Sequence, residues 1–124
     1  MTKLLPFLFG ALALIHALPA MAVIAPARLS SLYGFDASDT VLTTLLQHRA
    51  LLFAILSAAL IYAIFIPSAR WPVLIGTGVS MGGFLVIAWA HGEMSGALRP
   101  IVLADVIGLV IAVLAAVCLW KGAA

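Results

Sequence analysis

Apolar residues in this chain fall into four long runs, at about 4–25, 41–66, 72–90 and 101–120. Each approaches the roughly 20 residues that an α-helix, rising ~1.5 Å per residue, needs to cross a bilayer core of ~30 Å. None shows the strict alternation of a membrane barrel strand. The intervening segments read as punctuation. Residues 27–33 predict a short helix with Leu29, Leu32 and Tyr33 on one face, lying in the interface and capped by Gly34. Asp36, Ser38 and Asp39 offer N-caps for the second run. Pro67 to Pro72 predicts a tight turn, with Pro72 in the first turn of the third span. His91 to Gly96 breaks the chain again, and Pro100 opens the fourth span. Trp71, Trp89 and Trp120 all fall at run ends, where an interfacial aromatic belt places them. The pattern predicts an all-α, integral membrane four-helix bundle, one domain over 1–124, with both termini on the same side.

Composition strengthens that picture. Apolar residues make up 66% of the chain and charged residues 8%, against roughly 45–50% and 25% in soluble domains. A chain of 124 residues has too little interior to hide so much apolar surface, so lipid must serve as solvent for part of it. The six Lys and Arg are scattered, without the basic stripe that nucleic acid requires. Cys118 is the single cysteine, which excludes an internal disulfide and a CxxC redox pair. Lys3, the first apolar run and Ala20-Met21-Ala22 together resemble a cleavable signal peptide. The length of the run and the presence of His16 inside it favour a retained span.

Orientation is nearly balanced. Lys3, Arg70 and Lys121 share one side, and Arg28, Arg49 and Arg99 the other. Discounting Arg49, which falls inside a span, tips the positive-inside rule towards cytoplasmic termini in a bacterial inner membrane. So even a count also accommodates insertion both ways and an antiparallel homodimer.

Ionisable side chains inside a span cost at least about 2.5–3.5 kcal/mol at the centre, so each needs a reason. Measured from the end bearing the 26–40 and 91–100 segments, His16 lies ~14 Å deep, His48 and Arg49 ~11–12 Å, and Asp105 ~6 Å. Three spans therefore place polar groups in one leaflet, and the other leaflet has almost none. Arg49 cannot readily lose its charge and Asp105 is the acid within a span, so an Arg49–Asp105 ion pair is the expected partnership. His16 and His48 extend the layer, with Gln47, His91 and Glu93 as secondary candidates. Pro19 has no N–H to offer the Ile15 carbonyl, which leaves that oxygen free beside His16. This layer reads either as a ligand site or as a scaffold that fixes helix register. No cofactor is expected; a haem held by His16 with His48 or His91 is the one arrangement the residues allow. His91 and Glu93 alone make no metal ligand set. Small residues recur at four-residue spacing at Ala50, Ala54 and Ala58, at Gly78 and Gly82, and at Ala104, Gly108, Ala112 and Ala116, a pattern that lets helices approach closely.

The segments Gly10–Pro19, Ala27–Gly34, Leu46–Phe53 and Val102–Val106 resemble the recognisable stretches of a family of small four-span bacterial membrane proteins. The resemblance covers nearly the whole chain, implies the same four-span fold, and singles out His16, His48, Arg49 and Asp105. It implies no particular activity. Similar sequences often carry the label phosphopantetheine adenylyltransferase, a soluble nucleotide-binding enzyme whose histidine-rich motif is absent here. Small multidrug exporters need a glutamate in the first span, and quinone-linked disulfide enzymes need paired cysteines; this chain has neither. The expected function is non-enzymatic binding or transport of a small ion or amphiphile. A structural accessory subunit of a larger membrane complex is the alternative, and a lipid- or isoprenoid-acting enzyme ranks third.

Overall fold

The computed structural model describes residues 2–25, 27–34, 36 and 38–123. Among them are five helices: α1 (Leu5–Ala20), α2 (Ala27–Tyr33), α3 (Thr40–Phe65), α4 (Arg70–Ala90) and α5 (Arg99–Ala123). All but α2 are long and apolar enough to cross a membrane, so four candidate spans pack as one all-α bundle. The sequence placed these spans to within a few residues. α1 departs most, because its last turn tightens into a 3-10 turn over Met21–Val23 just after Pro19. A proline there removes one hydrogen bond of the α ladder and favours that tightening.

Chain punctuation works largely as expected. Asp39 caps α3, its carboxylate accepting from the Leu42 N–H at 3.0 Å. Asp36 accepts from the Ser38 N–H at 2.9 Å, which holds this exposed carboxyl below the usual carboxylate range. Gly34 takes φ +66 after α2 and its N–H returns to the Ser30 carbonyl at 2.9 Å, a left-handed helix cap. The side chains of Leu29, Leu32 and Tyr33 lie outside the described residues, and with them the expected interfacial face of α2. Arg70 does more than fill a turn. Its Nε donates to the Ala63 carbonyl and its Nη2 to the Ile64 carbonyl, both at 3.1 Å, closing the C-terminal end of α3.

The four spans form a ring in the order α1, α3, α4, α5. α1 packs most extensively on α3, while α1 and α4 sit across one diagonal and α3 and α5 across the other, without a close backbone approach among the described residues. Each span turns a helical stripe inward: Leu5, Phe9, Leu12 and His16 on α1, Ala50, Ser57, Leu60 and Ala63 on α3, Leu74, Thr77, Met81 and Ala88 on α4, and Val102, Asp105, Ala112, Ala115 and Cys118 on α5. Leu14, Ile55, Val79 and Val113 are among many large apolar side chains turned outward, as lipid contact demands. Trp89 and Trp120 are strongly exposed and Trp71 partly so, all near span ends.

The small-residue pattern needs correction in two places. On α3 the inward register runs through Ala50 and Ser57, leaving Ala54 half-buried and Ala58 exposed. On α4 a Cβ at Gly78 or Gly82 would meet nothing within 4 Å, so neither glycine permits a close approach inside this chain. Gly108 makes room for a side chain instead: a Cβ there would collide with the Met81 sulfur, which packs from α4 over the bare backbone of α5.

Candidate functional site

Helical register decides which polar groups reach the interior. His16 follows Leu5, Phe9 and Leu12 on the inward stripe of α1 and is only 2% exposed. Its Nδ1 lies 2.8 Å from the Leu12 carbonyl one turn back. A carbonyl can only accept, so Nδ1 carries the hydrogen, and in the neutral ring Nε2 is left as an acceptor. The Phe53 ring packs edge-on against the imidazole, with centroids 5.8 Å apart. Asp105 occupies the inward stripe of α5 and is 7% exposed.

His16 and Asp105 meet in a cleft of about 520 Å³ between the C-terminal part of α1 and the N-terminal part of α5. Ile15, Leu18, Met21, Ile101 and Ala104 give it apolar walls, and the exposed Arg28 and Ser31 stand at its rim. Pro19 and Ile15 both line the cleft. Two acceptor-bearing side chains therefore line the cleft: the Asp105 carboxyl and the His16 imidazole, whose Nε2 accepts when the ring is neutral.

Arg49 takes a different direction. Its guanidinium carbon sits 4.6 Å from the Phe84 ring centroid and 5.2 Å from that of Phe53, a cation held over two aromatic faces. It lines a second cavity of about 750 Å³ between α3 and α4, together with Ser80, His91 and Glu93. Phe53 lines both cavities and stands between them.

The expected Arg49–Asp105 ion pair does not form. Among the described residues, no carboxylate oxygen lies within 4.0 Å of a basic nitrogen. The reason is the ring order, which sets α3 and α5 across a diagonal and leaves Arg49 to stack on rings instead. His48 is exposed on the outer face of α3 and lines neither cavity, and the half-buried Gln47 likewise lines neither. The single polar layer of the sequence thus resolves into two sites, one holding His16 and Asp105, the other Arg49, His91 and Glu93. The histidines divide accordingly between two cavities and the outer surface.

Three residues that matter here escaped the sequence reading. Phe53 follows Arg49 by four positions, so a same-face cation–π pair on one helix was legible in principle. Phe84 comes from another helix and gave no such signal. Ser57 sits 7% exposed on α3 and donates through Oγ to the Ala13 carbonyl at 2.9 Å, binding α3 to α1 next to this region.

Comparison with known proteins returned no matching family model, no matching curated protein and no matching solved structure. The four-span architecture and the two cavities are therefore what bears on function.

Proposed function

We propose that this is a non-enzymatic polytopic membrane protein that binds a small amphiphile in the His16–Asp105 cleft, the amphiphile's polar end donating hydrogen bonds. The observation that carries this reading is the pairing of apolar walls with acceptor-bearing side chains in one cleft. Two ionisable side chains more than nine-tenths buried line it, with no basic partner within 4.0 Å of the Asp105 carboxylate among the described residues. Its volume falls inside the roughly 300–1,000 Å³ usual for small-molecule sites. Ionisable groups within a span default to ligand or ion pathways when a cavity meets them. A primary ammonium or hydroxyl on an apolar tail satisfies both parts: the head donates to Asp105 and to His16 Nε2, and the tail lies along Leu18, Met21 and Ile101. Cytoplasmic termini in a bacterial inner membrane remain part of this proposal.

The test compares a primary alkylamine with a quaternary alkylammonium of equal chain length, binding followed by native mass spectrometry from mild detergent. Both carry the charge, but only the amine donates hydrogen bonds. The parent is expected to prefer the amine, and Asp105→Asn to weaken amine binding about tenfold or more, the weight of a charge-assisted hydrogen bond. Equal binding of both compounds, or unchanged amine binding in a folded Asp105→Asn protein, would remove the reading.

One observation favours the accessory-subunit alternative. On α4, Gly76 faces outward with open space beyond it, beside the exposed Ile75 and Val79. That face suits a neighbouring helix. Co-purification of a stoichiometric partner that is lost in Gly76→Leu, with amine binding absent throughout, would favour it over a ligand-binding role.

A further inference from the structure

We infer that the cavity between α3 and α4 is a second binding site, of opposite polarity, which takes the anionic headgroup of a membrane lipid with Arg49 as its anchor. It shares only Phe53 with the His16–Asp105 cleft and does not depend on what that cleft binds.

Arg49 is a half-buried, permanent cation nine residues into α3, about 13 Å along the helix from Thr40. The Phe53 and Phe84 rings attract its charge, but a ring face leaves the guanidinium N–H fork without oxygen acceptors. Among the described residues no carboxylate reaches it within 4.0 Å. The fork therefore borders a cavity with donors to give, and a phosphate or carboxylate accepts two of them side by side.

The walls argue for a lipid over a water-borne anion. Leu52, Ile55 and Ile87 line the cavity and are each about half or more exposed on the outer surface of the bundle, so it opens sideways where lipid tails lie. α3 and α4 also touch least among the four neighbouring pairs of spans, and the cavity occupies that gap. A tail can enter there without crossing the bundle. His91 and Glu93 stand exposed at the loop end of the same cavity. Glu93 repels an anion at the mouth, while Arg49 is the permanent cation among the lining residues. The charge pattern thus favours an anionic headgroup that enters from the side and sits at Arg49 over one held at the mouth.

The test uses the full chain in phosphatidylcholine nanodiscs, with spin-labelled phosphatidic acid or spin-labelled phosphatidylcholine as the probe and electron spin resonance reading the motionally restricted fraction. The parent is expected to enrich phosphatidic acid over phosphatidylcholine. Arg49→Gln should lower that preference about tenfold, as loss of a bidentate charged contact implies. Arg49→Lys should retain part of it, because an ammonium keeps the charge without the fork. Glu93→Gln should leave the preference equal or greater. Should Arg49→Gln fail to fold, the parent still decides the matter: dodecyl phosphate should displace the labelled phosphatidic acid and dodecanol should not. Undiminished preference in a folded Arg49→Gln protein would overturn the proposal. So would a loss in Glu93→Gln as large as in Arg49→Gln, which would mark a scaffold pair. Displacement of the label by inorganic phosphate alone would overturn the assignment to lipid in favour of a soluble anion.

Discussion

Ser57 and His16 show how polar side chains are accommodated at single positions in this bundle. Each satisfies a hydrogen that would otherwise be stranded in an apolar interior: Ser57 through the Ala13 carbonyl of α1, His16 through the Leu12 carbonyl of its own helix. The Ser57 bond crosses the most extensive helix–helix contact, so Ser57→Ala should destabilise the bundle by about 1 kcal/mol, near the usual size of such bonds in membranes. Unfolding by titration into denaturing detergent would measure it, and no change would show that a neighbouring acceptor compensates. The sequence made His16 and Asp105 visible because an ionisable residue in an apolar run is costly wherever it faces. It could not show that His48 points outward while its neighbour Arg49 lines a cavity. That difference of one position is 100° of rotation around α3, and only packing fixes the rotation.

The same principle operates between elements. α5 approaches α4 at Gly108, where the Met81 side chain, 1% exposed, fills the space a Cβ would claim. Gly108→Ala should cost about 1–3 kcal/mol by overpacking. The cost should largely vanish in a Met81→Ala background, where the displaced side chain is gone. Gly83→Ala is the contrasting case. A Cβ there meets nothing, and the change should be neutral or gain up to about 1 kcal/mol from helix propensity. Unfolding titrations of these variants would check both signs. Helix boundaries, the Asp39 cap and the Gly34 cap were legible because local chemistry sets them. The inward stripe of α3 was less so. With lipid outside and protein inside both apolar, hydrophobicity no longer marks the buried face, and Ala58 looked as suited to the interior as Ala50.

At the scale of the whole molecule, the ring order of the spans is what turned one expected polar layer into two sites. Segregation of His16, Arg49 and Asp105 into a single leaflet was readable from depth along each span. Their partnership was not, because depth does not tell which helices are neighbours and which are diagonal. With α3 and α5 on a diagonal, Phe53 lines both cavities, while Arg49 lines one and Asp105 the other. Measuring both probes on both variants tests whether the two sites are separate. The primary alkylamine and spin-labelled phosphatidic acid are titrated against the parent, Asp105→Asn and Arg49→Gln. Asp105→Asn should lose the amine and keep the lipid preference, while Arg49→Gln should do the reverse. Each cross effect should stay under about threefold, as expected of two charges that act only through space. Loss of both ligands in each variant would contradict this separation, and would restore a single site built on Arg49 and Asp105 together.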